Sequence, residues 1–318
     1  AGGGPGEGWE KMEPKRLPIF EKCLEGDVEY VAKELPCLTV SELRDSSSTS
    51  LMHYACRGGH PEVVKILLKN LPSDYLLSKS EDQASAFDLA CAGGHIDAVL
   101  EMLEVYPLES MTTTGHDVGC NALITAAGNG HENVVKLLMT KLSPADIAGA
   151  RLGWHTALHK AAQGGHTEVV RMLLERWPEK LLTARTQRGQ TALHFACDEG
   201  NSETALALLE SVPADNVIIR ARHGVTPLHS AVFGCCSVEV LAKMLTLIPP
   251  ELRSPQTNGG LTPLHLAASC GRADTLRILL ENLPPEALGL RDVEGRTAED
   301  LAGNLSHFFQ PKVKSAVL

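Results

Sequence analysis

The stretch Thr156-Ala-Leu-His-Lys-Ala-Ala-Gln-Gly-Gly-His166, continued by Thr-Glu-Val-Val-Arg-Met-Leu-Leu174, decides how the rest of the chain is read. Leu158, Ala161 and Ala162 follow the three-and-four spacing of one helical face. Gly164-Gly165-His166 interrupts that helix, and Val169, Val170, Leu173 and Leu174 mark the apolar face of a second one. Two short helices joined by a tight turn cannot bury their own apolar faces, so the unit needs neighbours of its own kind.

Sliding the segment along the chain finds them. Matching anchors stand at Ser50, Ser85, Asn121, Thr156, Thr191, Thr226 and Thr262, at steps of 35 or 36 residues. A degenerate copy spans Leu17 to Leu35, and a shortened one begins at Thr297. Proline closes the second helix at nearly the same phase in every full copy: Pro72, Pro107, Pro144, Pro178, Pro213, Pro249 and Pro284. It lacks the amide hydrogen that would continue the helix. Residues such as Pro178-Glu-Lys-Leu-Leu182 follow it and predict an added turn. A glycine two places before the anchor (Gly119, Gly189, Gly224, Gly260, Gly295) predicts a loop with positive φ.

The motif Thr-x-Leu-His-x-Ala-(Ala/Cys) in Thr156–Ala162 and Thr191–Cys197, Thr-Pro-Leu-His at Thr226 and Thr262, and Gly-His at Gly59, Gly94, Gly130 and Gly165 resemble the ankyrin repeat. The resemblance runs over roughly residues 17 to 303 and implies an all-α solenoid of stacked helix-turn-helix repeats with projecting finger hairpins. The expected organisation is a flexible tail at 1–16 and one solenoid at 17–303, with a tail at 310–318. The solenoid divides into an N-terminal cap repeat at 17–49, seven repeats at 50–296 and a C-terminal cap at 297–309. The departures are a period near 35 where the family's is usually 33, Trp154 where the loop glycine belongs, and Gly234-Cys235-Cys236-Ser237 in place of Gly-His.

Composition narrows the function. Aromatic residues make up 4% of the 318, against an aromatic-rich β-sandwich. No apolar run reaches the roughly 18 residues of a membrane span. Residues 1–150 carry 12 Lys+Arg and 22 Asp+Glu, whereas 151–318 carry 17 of each and 12 of the 15 arginines. There is no global basic field for nucleic acid. Nine cysteines without a C-x-x-C pair read as reduced thiols of an intracellular protein, cytoplasmic or nuclear. Phosphate-loop, zinc-protease and nucleophile-elbow motifs are missing, and the expectation is a non-enzyme with no cofactor and no metal.

His53, His159, His194, His229 and His265 stand one repeat apart, so they do not converge on one ion. The resemblance implies instead that they bond the backbone and the adjacent Thr or Ser. Cys235, Cys236 and Cys270 support a second reading as a redox- or zinc-responsive regulator. A third makes the chain the targeting part of a larger enzyme or effector, such as a ubiquitin ligase subunit.

The primary expectation is a monomeric scaffold that binds another protein or an acidic peptide on the concave groove and fingers, without nucleic acid or membrane insertion. Four places after each anchor stand Tyr54, Leu89, Thr125, Lys160, Phe195, Ser230 and Leu266, on the side of the first helix expected to be exposed. Of these Tyr54, Leu89, Phe195 and Leu266, with Trp154 and Phe233 nearby, are the candidate apolar anchors. Arg185, Arg220 and Arg291 share one finger phase. With Arg151, Arg188 and Arg222 they form a candidate stripe for carboxylates.

Overall fold

The computed structural model describes residues 18–45, 47–76, 78–81, 84–105, 122–142, 155–176 and 181–309. Its chain divides into two compact units, residues 1–113 and 114–318. Both are built of helix pairs, and the described residues contain no strand, only isolated bridges at Arg44–Ser50 and Lys79–Ser85.

Unit 1 contains α1 (Pro18–Glu25) with α2 (Val28–Glu34), α3 (Leu51–Gly58) with α4 (Pro61–Asn70), and α5 (Ala86–Ala92) with α6 (Ile96–Val105). Unit 2 repeats the pattern with α7 (Ala122–Gly128) and α8 (Glu132–Lys141), α9 (Ala157–Gly164) and α10 (Thr167–Arg176), and α11 (Ala192–Asp198) and α12 (Ser202–Ser211). It continues with α13 (Pro227–Phe233) and α14 (Val238–Leu247), α15 (Pro263–Ser269) and α16 (Ala273–Asn282), and the closing α17 (Ala298–Leu301). In unit 2 each first helix packs on the next first helix, and each second helix on the next second helix, giving two layers. The contact between first helices is made by small side chains, Ala161-Ala162, Ala196-Cys197, Ala231-Val232 and Ala267-Ala268, all buried. Turns after the helix-ending prolines at Ser73–Leu76, Ala214–Val217, Pro250–Leu252 and Pro285–Gly289 account for the longer period.

The anchor residue is the N-cap of the first helix, and in five copies a histidine three places on completes the cap, while Asp88 and Asp300 do so after Ser85 and Thr297. Thr156 N–H donates to His159 Nδ1 at 3.2 Å, which leaves Nε2 to carry the proton. Nε2 then donates to the Gln190 carbonyl, 3.2 Å away on the next loop. The same bridge runs from His194 to Val225, His229 to Leu261 and His265 to Arg296, and in unit 1 from His53 to Ala84. Each histidine thus satisfies its own helix end and fixes the following loop.

A second ladder crosses the turns between helices. His60 and His95 donate to the Leu24 and Arg57 carbonyls in unit 1. In unit 2 His166 donates to the Gly128 carbonyl at 2.9 Å, Asn201 to Gln163, and Arg272 to Val232. Cys236 takes this place in the irregular copy, its thiol 3.6 Å from the Cys197 carbonyl. The residue before it, Cys235, has φ 67°, where Gly59, Gly94, Gly130, Gly165, Gly200 and Gly271 stand in other copies. A Cβ in the left-handed region is crowded by the backbone carbonyl. Cys235→Gly is therefore expected to stabilise the fold by about 1 kcal/mol, measured as a raised urea midpoint at unchanged slope.

Burial lowers the pKa of His194 and of His229 from the ordinary 6.5 to about 4. Both stay neutral in the fold, whereas the unfolded chain takes up protons below pH 6.5. Their contribution is complete above pH 6.5 and is lost as pH falls towards 4, at a cost of about 3 kcal/mol for each histidine. Urea midpoints should fall steeply across that window, and His194→Gln should flatten the slope.

Candidate functional site

The finger loops of unit 2 are shaped by backbone hydrogen bonds. Ala221 N–H donates to the Val225 carbonyl and Gly224 N–H to Ala221, and the loops ending at Gln190, Leu261 and Arg296 close in the same way. The second bond bends the chain back, and the glycine making it has φ between 73° and 78° in all four. Successive fingers are tied at their tips: Arg222 N–H donates to the Arg188 carbonyl, Asn258 to His223, and Val293 to Gly259. Finger side chains are therefore held in register along unit 2.

Beneath these fingers, between the loops and the exposed ends of α11, α13 and α15, lies a cleft of about 570 Å³. Arg188 and Arg222 stand at its finger rim, and Phe233 and Leu266 form its apolar wall. Its polar floor is Gln190, Asp198 and Ser230. Phe233 is 66% exposed, which is unusual for a large apolar side chain. Neither Arg188 nor Arg222 has a carboxylate within 4 Å among the described residues.

The cleft exists because the repeat is broken there. Ser230 occupies the phase that holds Phe195 one copy earlier and Leu266 one copy later. A small side chain between two large ones leaves a notch. Asp198 stands at the same phase as Phe233, one copy earlier, so a carboxylate and a phenyl ring are neighbours in the stack. Gln190 Nε2 donates to Asp198 Oδ2 at 3.1 Å. Burial raises the Asp198 carboxyl above its ordinary pKa; the Ser230 hydroxyl beside it and the Gln190 amide pull the other way. The Ser230 Oγ is buried beside this carboxylate without completing a hydrogen bond of good geometry.

The sequence-predicted residues divide accordingly. Phe233, Leu266, Arg188 and Arg222 come together at the cleft. Phe195 is half-buried and packs edge-on against His155 and His159 at centroid distances of 5.3 and 5.6 Å, outside the cleft lining. Tyr54, in unit 1, is only 5% exposed and not on an open face. Its ring packs on Phe20, and its hydroxyl donates to Asp45 at 2.8 Å. Leu89, also in unit 1, is half-buried. Trp154 and Arg151 lie outside the described residues.

The finger arginines divide as well. Arg185, Arg220 and Arg291 are exposed, but Arg220 donates to the Gln256 carbonyl and Arg291 to the Gly295 carbonyl. The off-phase pair, Arg188 and Arg222, reaches the cleft instead. Asp198 escaped the sequence reading, and its shared phase with Phe233 was the available signal.

Among the described residues no three His, Cys, Asp or Glu side chains are placed to hold a metal ion. Cys235 and Cys270 are exposed, while Cys236 is buried. No described helix is long and apolar enough to cross a membrane.

Family models for ankyrin repeats match residues 89–183 and 179–247, and further ankyrin models match 253–302 and 50–77. The chain belongs to the ankyrin repeat family. The ankyrin fold is typically a non-enzymatic protein-interaction module. The crystal structure of the human ASB11 ankyrin repeat domain is similar with a TM-score of 0.58 at 22% identity, covering 74% of this chain and 99% of that one. That likeness shows the fold. Acyl-CoA-binding domain-containing protein 6 of Danio rerio is 37% identical over 62 residues, which are 19% of this chain and 21% of the relative. The Rattus norvegicus protein of the same name is 36% identical over 61 residues, 19% and 22% of the two chains. This ankyrin chain thus spans about a fifth of the length of those curated relatives.

Removing a buried hydroxyl that has no partner relieves a desolvation cost. Ser230→Ala is expected to be neutral or to stabilise by up to about 1 kcal/mol, read from thermal and urea unfolding.

Proposed function

We propose that this chain is a non-catalytic scaffold that binds an acidic, partly apolar peptide segment of a partner protein across the finger-side face of unit 2. The observation that carries the reading is the cleft's composition: an exposed Phe233 beside Leu266, under two arginines without carboxylate partners. Large apolar side chains supply affinity when a partner desolvates them. Exposed guanidinium groups contribute little to stability by themselves, but they steer an anionic segment and fix its orientation through forked hydrogen bonds. The finger ladder holds both in register before any partner arrives, which reduces the ordering cost of binding.

Short peptides selected by display on the full chain, labelled and titrated by fluorescence anisotropy, test this. Acidic-apolar sequences should be enriched. Phe233→Ala should weaken them by about tenfold or more, and the double variant Arg188→Ala/Arg222→Ala should weaken them and flatten the salt dependence. Selection of basic or wholly apolar peptides, or affinity indifferent to Phe233, would refute the proposal.

A further inference from the structure

The floor of the cleft carries two unmet polar demands side by side. Asp198 is a half-buried carboxylate that accepts from the neutral Gln190 amide at 3.1 Å, and no Lys, Arg or His nitrogen lies within 4 Å of it among the described residues. A buried anion without a cation is costly, and structures ordinarily pair it. Next to it, Ser230 is 1% exposed and its Oγ has no hydrogen-bond partner. Native proteins leave few such atoms unexplained. Both residues line one cleft with an aromatic and an aliphatic wall, Phe233 and Leu266.

We infer that the notch formed by Asp198, Ser230, Phe233 and Leu266 is a subsite for a single arginine side chain of the bound peptide. Four features select that chemistry. A guanidinium presents five N–H donors in a planar fork, enough to take both Asp198 oxygens and also reach a hydroxyl. Its planar face stacks on an aromatic ring, and Phe233 supplies one. Its methylene stem is long enough to bury along Leu266 while the head reaches the floor. Its weak hydration makes desolvation at a half-buried carboxylate cheaper than for a lysine ammonium.

Arg188 and Arg222 stand at the exposed rim and not on the floor, where solvent screens their repulsion of an incoming cation. They would engage acidic residues flanking the arginine. The inference deepens the function proposed above: the recognised segment is acidic overall, with one arginine set among its carboxylates.

The test separates the two claims. The probe for the subsite is Nα-acetyl-arginine N-methylamide, titrated into the full isotope-labelled chain and followed by the backbone amide shifts of Asp198, Ser230 and Phe233. Saturable shifts at those three amides are expected. The lysine analogue should bind more weakly, and Nα-acetyl-citrulline N-methylamide, which keeps the shape and loses the charge, should be weaker by about tenfold or more. Asp198→Asn and Ser230→Leu should each abolish the response. Leucine is the natural occupant of this phase at Leu266, so the second variant has a precedent for folding, and an unchanged melting curve checks both.

Absence of saturable shifts, or equal binding of the citrulline analogue, overturns the arginine subsite. Either result leaves the acidic-peptide reading standing if selected peptides still bind through Phe233. Conversely, arginine binding at the notch with no acidic-peptide selection supports the subsite and removes the broader function.

Discussion

Five of the helix pairs, those of His53, His159, His194, His229 and His265, depend on one repeated constraint, the orientation of a buried imidazole. A histidine at the third helical position accepts a hydrogen bond at Nδ1 from the N-cap amide and so must carry its proton on Nε2. That proton reaches a carbonyl on the next loop 31 or 32 residues later. A helix end and the following loop, which would otherwise each bring an unsatisfied polar group into the interior, solve one another's problem. Because the bridge is short and directional, it sets the rise from one repeat to the next. Alanine pairs under it let the first helices approach closely enough for the bond to form. A larger side chain at Ala161 or Ala196 would stretch the bridge before it produced any other effect.

Such a lattice makes deviation informative. Where every position has counterparts one repeat away, a residue that breaks its row has either a local reason or none that the fold supplies. Cys236 breaks the turn ladder and still donates to the carbonyl its row requires, at the cost of a left-handed Cys235. The finger glycines keep their row, and Gly260 shows why: a Cβ there would come within 2.8 Å of the Asp292 backbone on the next finger. Ser230 and Asp198 are different. Ser230 keeps a buried Oγ that completes no hydrogen bond, Asp198 keeps a half-buried carboxylate with no cation within 4 Å among the described residues, and neither repairs a helix end. The lattice itself is complete without them.

Local regularities made most of the fold legible in the sequence. Helix pairs, proline stops, N-cap residues and the left-handed glycines at Gly189, Gly224, Gly260 and Gly295 all depend on residues within a few places of each other. What escaped depends on neighbours a repeat away. Tyr54 shares a phase with Phe195, yet it is buried because Phe20 from the preceding degenerate copy packs on its ring. Arg220 and Arg291 share a phase too, but finger carbonyls come close enough to occupy them, whereas Arg188 and Arg222 extend from the same loops into open space. Phase reports which residues stack. It does not report how much room the neighbouring side chain leaves, as the small Ser230 between Phe195 and Leu266 does in the cleft lining.

In the proposed function, the cleft's two charge environments would contribute different things to recognition. Guanidinium groups at an exposed rim act at a distance, and their effect on a partner falls with salt. They raise the encounter rate for any anionic segment and discriminate poorly among such segments. A carboxylate and an unpaired hydroxyl on a half-buried floor act only at contact. A partner side chain that covers the floor without donating to it strips water from the half-buried Asp198 carboxylate and returns nothing, a penalty of about 1–3 kcal/mol. The floor therefore rejects apolar and anionic side chains more strongly than it attracts the right one. Attraction at the rim combined with rejection at the floor is how an open surface cleft can be selective.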